Sequence, residues 1–357
     1  MNNTVTTQFF LGANSSCGFV SLYDDFVSPD RGDFLWILKG GPGCGKSTFM
    51  RKIAHAAAEH GLDTELICCS GDPESLDGVY IPALKLGYAD GTSPHVMDSV
   101  YPAARSMYLD LGSFYDHNAL KAQYGEISAL FRSYKAKYAR AYDLLSAAGS
   151  TAVHRTPGLV TEKELDSVRR RADSFISREL GRGAPSAGIP KKRFISAVSC
   201  LGEVFLDSTV AALCPRICVL DNSLGMADTF LSRAAEGAAR RGTDYIICPD
   251  PMFPDRLEAL LLPQHGLALL ARSERLAYGG ETYRHFRLDA MADRDRIAAS
   301  RSALRRSVKL QRALTDEAIK ELAGAKLLHD RLERVYNPYV DFSGVSALAQ
   351  RHIEQIF

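Results

Sequence analysis

Two stretches of the chain repeat the same order of apolar and polar segments. Three apolar segments in each stretch have the length of a buried strand: residues 34–38, 64–69 and 84–89, then residues 216–220, 245–248 and 267–271. A helical segment follows the first strand of each stretch and ends near Gly61 or Gly242, as glycine at a helix C-terminus indicates. This alternation predicts an α/β fold with a parallel sheet and flanking helices.

A constant offset aligns the two stretches. At an offset of 181 residues, identical residues meet at several positions: Ala54/Ala235, Gly61/Gly242, Asp63/Asp244, Pro73/Pro254, Leu76/Leu257 and Pro82/Pro263. With a loop difference of three residues the alignment extends upstream, where Ala13 meets Ala197 and Gly18 meets Gly202. An internal duplication is therefore predicted.

A long helical region follows each stretch. In the first, apolar residues step by fours and threes: Tyr124, Ile127, Phe131, Tyr134, Tyr138, Ala141 and Leu145. This heptad pattern needs a partner helix, and the returning helix offers Leu165, Val168, Ala172 and Phe175. A similar series, less regular, runs from Leu314 to Val335. We therefore expect a helical hairpin in each half, acting as a structural element, a lever or a partner-binding surface.

The Gly-, Pro- and Ser-rich residues 181–192 predict a linker. An N-terminal P-loop unit would cover residues 1–180, with its hairpin at about 117–180. A degenerate C-terminal unit would cover residues 193–357, with its hairpin at about 300–357.

Composition narrows the class of protein. The chain has 43 basic and 42 acidic residues in 357, a net charge of +1 that argues against nucleic-acid binding. The Arg169–Arg170–Arg171 run is typical of a solvated helix face. Residues 1–8 lack the apolar core of a secretory signal, and residues 257–271 are interrupted by Pro263, so no membrane segment is expected. Eight cysteines without CxxC spacing indicate reduced thiols and a cytoplasmic location.

Candidate chemistry lies between the first strand and its helix. The motif GxxxxGK[ST], the Walker A pattern, is matched by Gly40, Gly41, Pro42, Gly43, Cys44, Gly45, Lys46 and Ser47. Glycines let backbone N–H groups surround phosphate oxygens at a helix N-terminus. Lys46 would contact the β- and γ-phosphates, Ser47 would bind Mg²⁺, and Thr48 would meet the α-phosphate. The predicted ligands are a nucleoside triphosphate and Mg²⁺.

A second Mg²⁺ ligand is expected at a strand end. Asp90 follows the third strand and is the predicted ligand; Asp72 is the alternative. His95 and Asp98 follow closely and are candidates for lining the γ-phosphate or orienting water. No glutamate follows Asp90 and no [NT]KxD guanine motif occurs, so the catalytic base stays open and ATP is favoured by default.

The second repeat lacks these groups. At the offset of 181, Gly40, Gly45, Lys46, Ser47 and Asp90 correspond to Asp221, Met226, Ala227, Asp228 and Ala271. The repeat is therefore interpreted as an inert site. A rival interpretation treats Asp221, at the end of an apolar run, as the Walker B acid of an SMC- or ABC-type ATPase.

The sequence resembles a bacterial family of uncharacterised P-loop ATPases, sometimes labelled nucleotide kinases, built from two tandem P-loop units. The similarity lies in residues 40–48, 72–77, 81–82 and 90–95. It implies an ATPase, whereas the departure at residues 221–228 leaves one active site. Two alternatives stay open. One is a phosphotransferase on a small acceptor, with His95 or Asp98 near the acceptor hydroxyl. The other is a nucleotide-sensing scaffold that binds a protein partner or itself through its hairpins.

Overall fold

The computed structural model describes residues 4–92, 97–181, 183, 186–273 and 275–357. The elements of the first half are β1 (Thr6–Phe10), β2 (Gly12–Ser15), β3 (Gly18–Ser21), β4 (Phe34–Lys39), α1 (Lys46–Glu59), β5 (Thr64–Cys68), β6 (Leu76–Ile81), β7 (Leu86–Asp90), β8 (Ser106–Asp110), α2 (His117–Ala122), α3 (Tyr124–Ser150) and α4 (Glu162–Leu180). Those of the second half are β9 (Pro190–Lys192), β10 (Ser196–Ser199), β11 (Gly202–Phe205), α5 (Asp207–Leu213), β12 (Arg216–Leu220), α6 (Ala227–Ala239), β13 (Tyr245–Pro249), β14 (Leu257–Leu262), β15 (Leu267–Ala271), β16 (Arg284–Phe286), α7 (Arg294–Tyr336) and α8 (Phe342–Ile356). None of the described helices has both the length and the apolar character needed to span a membrane.

Each half forms a six-stranded sheet, and the strand order is the same in both. The orders are β1-β5-β6-β7-β4-β8 and β9-β13-β14-β15-β12-β16. A short antiparallel hairpin, β2–β3 or β10–β11, accompanies each sheet. The α/β class and the two-repeat organisation follow from this order. The short strand β9 lies inside the expected linker and pairs with β13.

The expectation of a purely parallel sheet is wrong. Strands β6 and β14 run antiparallel to both of their neighbours, in segments for which the sequence pattern predicts a loop. Only residues 69–75 join β5 to β6, and Ser75 N donates to Asp72 O (2.8 Å) within that turn. A parallel pair needs a crossover connection of a dozen or more residues. The connection here is much shorter, and therefore β6 runs antiparallel to β5.

The two halves are joined by reciprocal contacts. Phe10 N donates to Phe194 O and Phe194 N donates to Phe10 O, both at 2.9 Å. Ser16 N donates to Met252 O (3.1 Å), and its counterpart in the other half, Cys200 N, donates to Gly71 O (3.2 Å). Equivalent residues thus exchange equivalent bonds, as an approximate two-fold axis requires. One apolar core, which includes Phe9, Leu11, Ile195 and Ile217, contains residues of both sheets.

The long helices pair across the halves, so the expected hairpin within each half is wrong. The α3 seam packs along the C-terminal part of α7: Ala141 and Leu145 cluster with Ala318 and Leu322. Helix α4 packs on α6 of the second half, and α8 packs on α1 of the first. The apolar face of α4, predicted to cover α3, is instead buried in the core around α6. An apolar stripe specifies that a partner exists without specifying which helix it is.

Candidate functional site

The glycine-rich loop joins β4 to the N-terminus of α1. Gly43 (φ 69°) and Gly45 (φ 88°) adopt left-handed backbone conformations that other residues rarely take. A Cβ at Gly40 would lie 2.5 Å from Cys44 Sγ, so a larger residue there would displace the buried Cys44 side chain. Helix α1 begins at Lys46 after the N-cap Gly45, and no side chain caps this end, so its first N–H groups have no intrahelical acceptor. Such a helix start is suited to binding an anion.

Lys46 lies over the start of this loop. Its Nζ donates to Gly40 O (2.8 Å) and Gly41 O (2.9 Å) and is 3.6 Å from Asp90 Oδ2. Both charged side chains are only 13% exposed. The ammonium group is thus held by loop carbonyls and one carboxylate, in a position where phosphate oxygens would compete for it.

Asp90 ends β7, in register with Leu38 of β4. Its Oδ1 accepts hydrogen bonds from Thr92 N (2.8 Å) and Thr92 Oγ1 (2.5 Å). Burial raises the pKa of Asp90, and the Lys46 cation acts against that rise. The structure therefore brings the predicted lysine and the predicted aspartate together at the carboxyl end of adjacent parallel strands.

Ser47 and Asp72 also line the cavity beside the loop. Ser47 Oγ accepts a hydrogen bond from Leu76 N (3.0 Å), which ties the start of α1 to β6. The Asp72 carboxylate lies 3.3 Å from Lys326 Nζ on α7. Asp90 faces Lys46, whereas Asp72 is paired with a cation of the second half.

Asp77 lines the same cavity, although the sequence pattern does not single it out as a site residue. It precedes Gly78, which pairs with Ala89, so the antiparallel register sets Asp77 opposite Asp90. Asp77 is 6% exposed and accepts a hydrogen bond from the Tyr23 hydroxyl (3.1 Å). Its charge is also one cause of the raised pKa of Asp90. The residue was missed because its strand was interpreted as a loop; the apolar positions on either side of it were the available signal.

The cavity has a volume of about 680 Å³, and helices of both halves form its walls. The wall residues are Phe131, Tyr134 and Tyr138 of α3, Lys326, His329 and Glu333 of α7, Asn337, and Phe342 of α8. The Asn337 amide nitrogen donates to Gly43 O (3.2 Å) and Glu333 O (3.0 Å) in the orientation that satisfies both amide atoms. The Tyr115 hydroxyl donates to Pro42 O (2.8 Å). The loop is therefore fastened from outside by the segment that joins α7 to α8 and by Tyr115.

Two further predicted residues, His95 and Asp98, follow Asp90 along the chain. His95 lies outside the described residues. Asp98 accepts a hydrogen bond from the Tyr108 hydroxyl (3.3 Å) and is not among the residues that line the cavity.

A group of side chains of types that bind metals lies on α7, and two of them, His329 and Glu333, line the cavity. Donor atoms of His329, Asp330 and Glu333 lie within 4.8 Å of one another. Lys326 forms an ion pair with Asp330, so a cation already occupies one side of this set. The predicted ligands Ser47 and Asp90 place a hydroxyl and a carboxylate beside the loop, on the same cavity.

The corresponding turn in the second half is filled by its own side chains. Leu224 and Met226 are 7% and 1% exposed and belong to the core that α4 covers. Asp228 Oδ1 accepts a hydrogen bond from Leu257 N (2.9 Å), the same bond that Ser47 makes with Leu76. Arg256 Nη2 lies 3.8 Å from Asp228, so a cation from outside the turn accompanies this carboxylate.

The strand register corrects part of the repeat alignment. Leu38 pairs with Asp90 and Leu220 with Ala271, so Lys39, not Gly40, is the counterpart of Asp221. The SMC-like interpretation of Asp221 is also wrong. Strand β12 belongs to the second sheet, and the Asp221 carboxylate bonds His285 Nε2 (2.7 Å).

Comparisons of the chain with protein-family models, with curated proteins and with solved structures returned no match. The resemblance drawn from the motifs stays a prediction.

Proposed function

We propose that this protein is a P-loop NTPase that binds ATP with Mg²⁺ in the cavity beside residues 40–48 and hydrolyses it there. The observation that carries the proposal is the position of Lys46, held by loop carbonyls and 3.6 Å from Asp90 on the cavity wall. Glycines with positive φ and a helix N-terminus complete a cradle for a polyphosphate.

The residues present suit the expected metal. Ser47 and Asp90 offer the oxygen ligands that Mg²⁺ prefers, and Asp77 adds a second buried carboxylate beside Asp90. When bound, Mg²⁺ would neutralise charge on the phosphate oxygens. Lys46 would exchange its loop carbonyls for phosphate oxygens, and Thr48 would contact the α-phosphate. Asn337 and Tyr115 would hold the loop while this exchange occurs.

A phosphotransferase is the second candidate, and the extent of the cavity favours it. The space continues from the loop to Tyr134, Tyr138 and Lys326 on the helices, where a small acceptor would fit. Turnover measured with and without a panel of hydroxyl-bearing acceptors separates the two activities. Phosphate release without any acceptor supports hydrolysis, and dependence on one acceptor supports transfer.

Lys46→Ala tests the site itself. Loss of charge-assisted bonds of about 1.5–3 kcal/mol should weaken Mg–ATP binding by roughly 10- to 150-fold, because the cation is aimed at the cradle. Titration calorimetry measures the affinity. Lys52→Ala, an exposed lysine on the same helix, is the matched control and should bind as the wild type does. Equal affinity in Lys46→Ala and wild type would refute the site.

A further inference from the structure

An exposed basic run occupies the first half of α7. Residues 297–315 contain five cations and no acidic residue: Arg301, Arg305, Arg306, Lys309 and Arg312. The formal net charge of the whole chain is only +1, so the rest of the chain is net acidic. The balanced total charge therefore conceals a strongly asymmetric distribution.

Helical geometry gathers these charges on the solvent side. Leu304, Ser307 and Gln311 are half-buried at helical spacing, and Leu304 packs on the core around α6. Arg301, Arg305 and Lys309 follow one another at four-residue intervals and are exposed. The solvent-facing side of this part of α7 therefore carries a row of basic side chains.

Four of the five basic side chains have no acidic partner within the described part of the chain. Arg301, Arg305, Arg306 and Lys309 form no ion pair there; Arg306 bonds only Ser302 Oγ (2.8 Å). By contrast, Arg169 of the other arginine run forms ion pairs with Glu162 and Asp166. The two basic runs of the sequence thus differ in whether their charges are neutralised within the chain.

We propose that residues 301–309 of α7 form a docking surface for the phosphate backbone of double-stranded nucleic acid. Arg301, Arg305 and Lys309 recur every four residues, about 6 Å along the helix axis, so each can contact a different phosphate of a strand whose charges recur about every 3.4 Å. Three of the four cations in this segment are arginines, whose guanidinium groups bind phosphate oxygens in pairs. The proposal does not rest on nucleotide binding at residues 40–48.

An anionic membrane surface suits the same run less well. Its exposed large apolar residues are Val308 and Leu310, and it contains no aromatic residue. An interfacial helix needs an apolar face that is available to lipid, whereas the apolar residue Leu304 is packed against the protein core.

The test is binding of a fluorescent 30-base-pair duplex by the full chain, followed by anisotropy from 50 to 200 mM NaCl. Four phosphate contacts predict a slope of log K against log salt near −3.6, which is a loss of about 100-fold over this range. The triple variant Arg301→Gln/Arg305→Gln/Lys309→Gln should bind at least 10-fold more weakly at 50 mM, with a slope reduced by about 2.7. Circular dichroism confirms that the variant is folded.

The matched control removes three exposed cations from α3, as Arg132→Gln/Lys135→Gln/Arg140→Gln. It should keep most of the affinity and the slope. Equal losses of duplex affinity in the two triple variants would show that binding depends on total charge alone, which would overturn the proposal. Absence of salt-dependent duplex binding would overturn it, as would tighter binding to phosphatidylserine vesicles than to duplex at the same salt.

Discussion

The loop after β4 and the turn after β12 occupy equivalent places in two sheets of identical strand order, yet they differ in what fills them. After β4, glycines leave a space that Lys46 and Asp90 border. After β12, Leu224 and Met226 fill the turn and join the core. One hydrogen bond is common to both turns: Ser47 accepts it from Leu76 N in the first half, and Asp228 accepts it from Leu257 N in the second. Within the described residues, the scaffold contact is thus present in both halves, whereas the cavity lies beside the turn after β4.

The largest contrast should appear in stoichiometry. Calorimetric titration with Mg–ATP should return one nucleotide per chain, because the second turn presents buried apolar side chains and Asp228 where the first presents N–H groups and a cation. Met226→Gly/Ala227→Lys should not add a second site, since Leu224 and Asp228 remain. Two equivalent sites in the wild-type chain would contradict the comparison.

Asp90→Asn and Asp221→Asn sharpen the contrast at the strand ends. Asp90→Asn should lower Mg-dependent turnover on the order of 100-fold, because it removes one charge that faces the metal and Lys46. Asp221→Asn should change turnover less than twofold, because its partner is His285 in the other sheet. Steady-state phosphate release over a Mg²⁺ series measures both. If Asp72→Asn lowered Mg-dependent turnover more than Asp90→Asn did, Asp72 and not Asp90 would be the metal ligand.

Ser47→Ala and Asp228→Ala test the contact that the halves share. Ser47→Ala removes the acceptor of Leu76 N, and Asp228→Ala removes the acceptor of Leu257 N. In the absence of nucleotide, each substitution should lower the unfolding free energy by about 1–2 kcal/mol. Urea denaturation measures the loss. Asp228→Ser restores a side-chain acceptor and should recover most of the stability. A cost in one half alone would mean that the two bonds are not equivalent.

The smallest effect concerns the helix that crosses to the second half. Burial acts to raise the pKa of Glu164 at the start of α4, but hydrogen bonds from Thr161 and Arg296 outweigh it and lower the pKa to about 2. Stability from this lowered pKa is present above pH 4.5 and is lost as pH falls towards 2. The Tm of Glu164→Gln should therefore lie below that of wild type at pH 6, and the gap should narrow by pH 3. Glu126→Gln, at an exposed carboxylate of α3, is the control.

Local sequence was sufficient for the elements nearest the site. The apolar segments around residues 34–38 and 84–89, with Gly61 closing the helix between them, placed β4, α1 and β7 within a few residues of their observed ends. The same pattern at an offset of 181 predicted the second set. These elements depend on apolar periodicity and on glycine at helix ends, which act over a few residues and can be read along the chain.

Partner choice depended on the tertiary structure. The heptad stripe of α3 predicted a helical partner, but burial of the α4 face on α6 left α7 to take that place. The short turn before β6 reversed a strand and set Asp77 opposite Asp90. Walls of the cavity come from Lys326 and Phe342, far along the chain. Which apolar face covers which, and hence which side chains meet at a site, is decided by burial summed over the whole molecule, and short-range patterns do not contain that information.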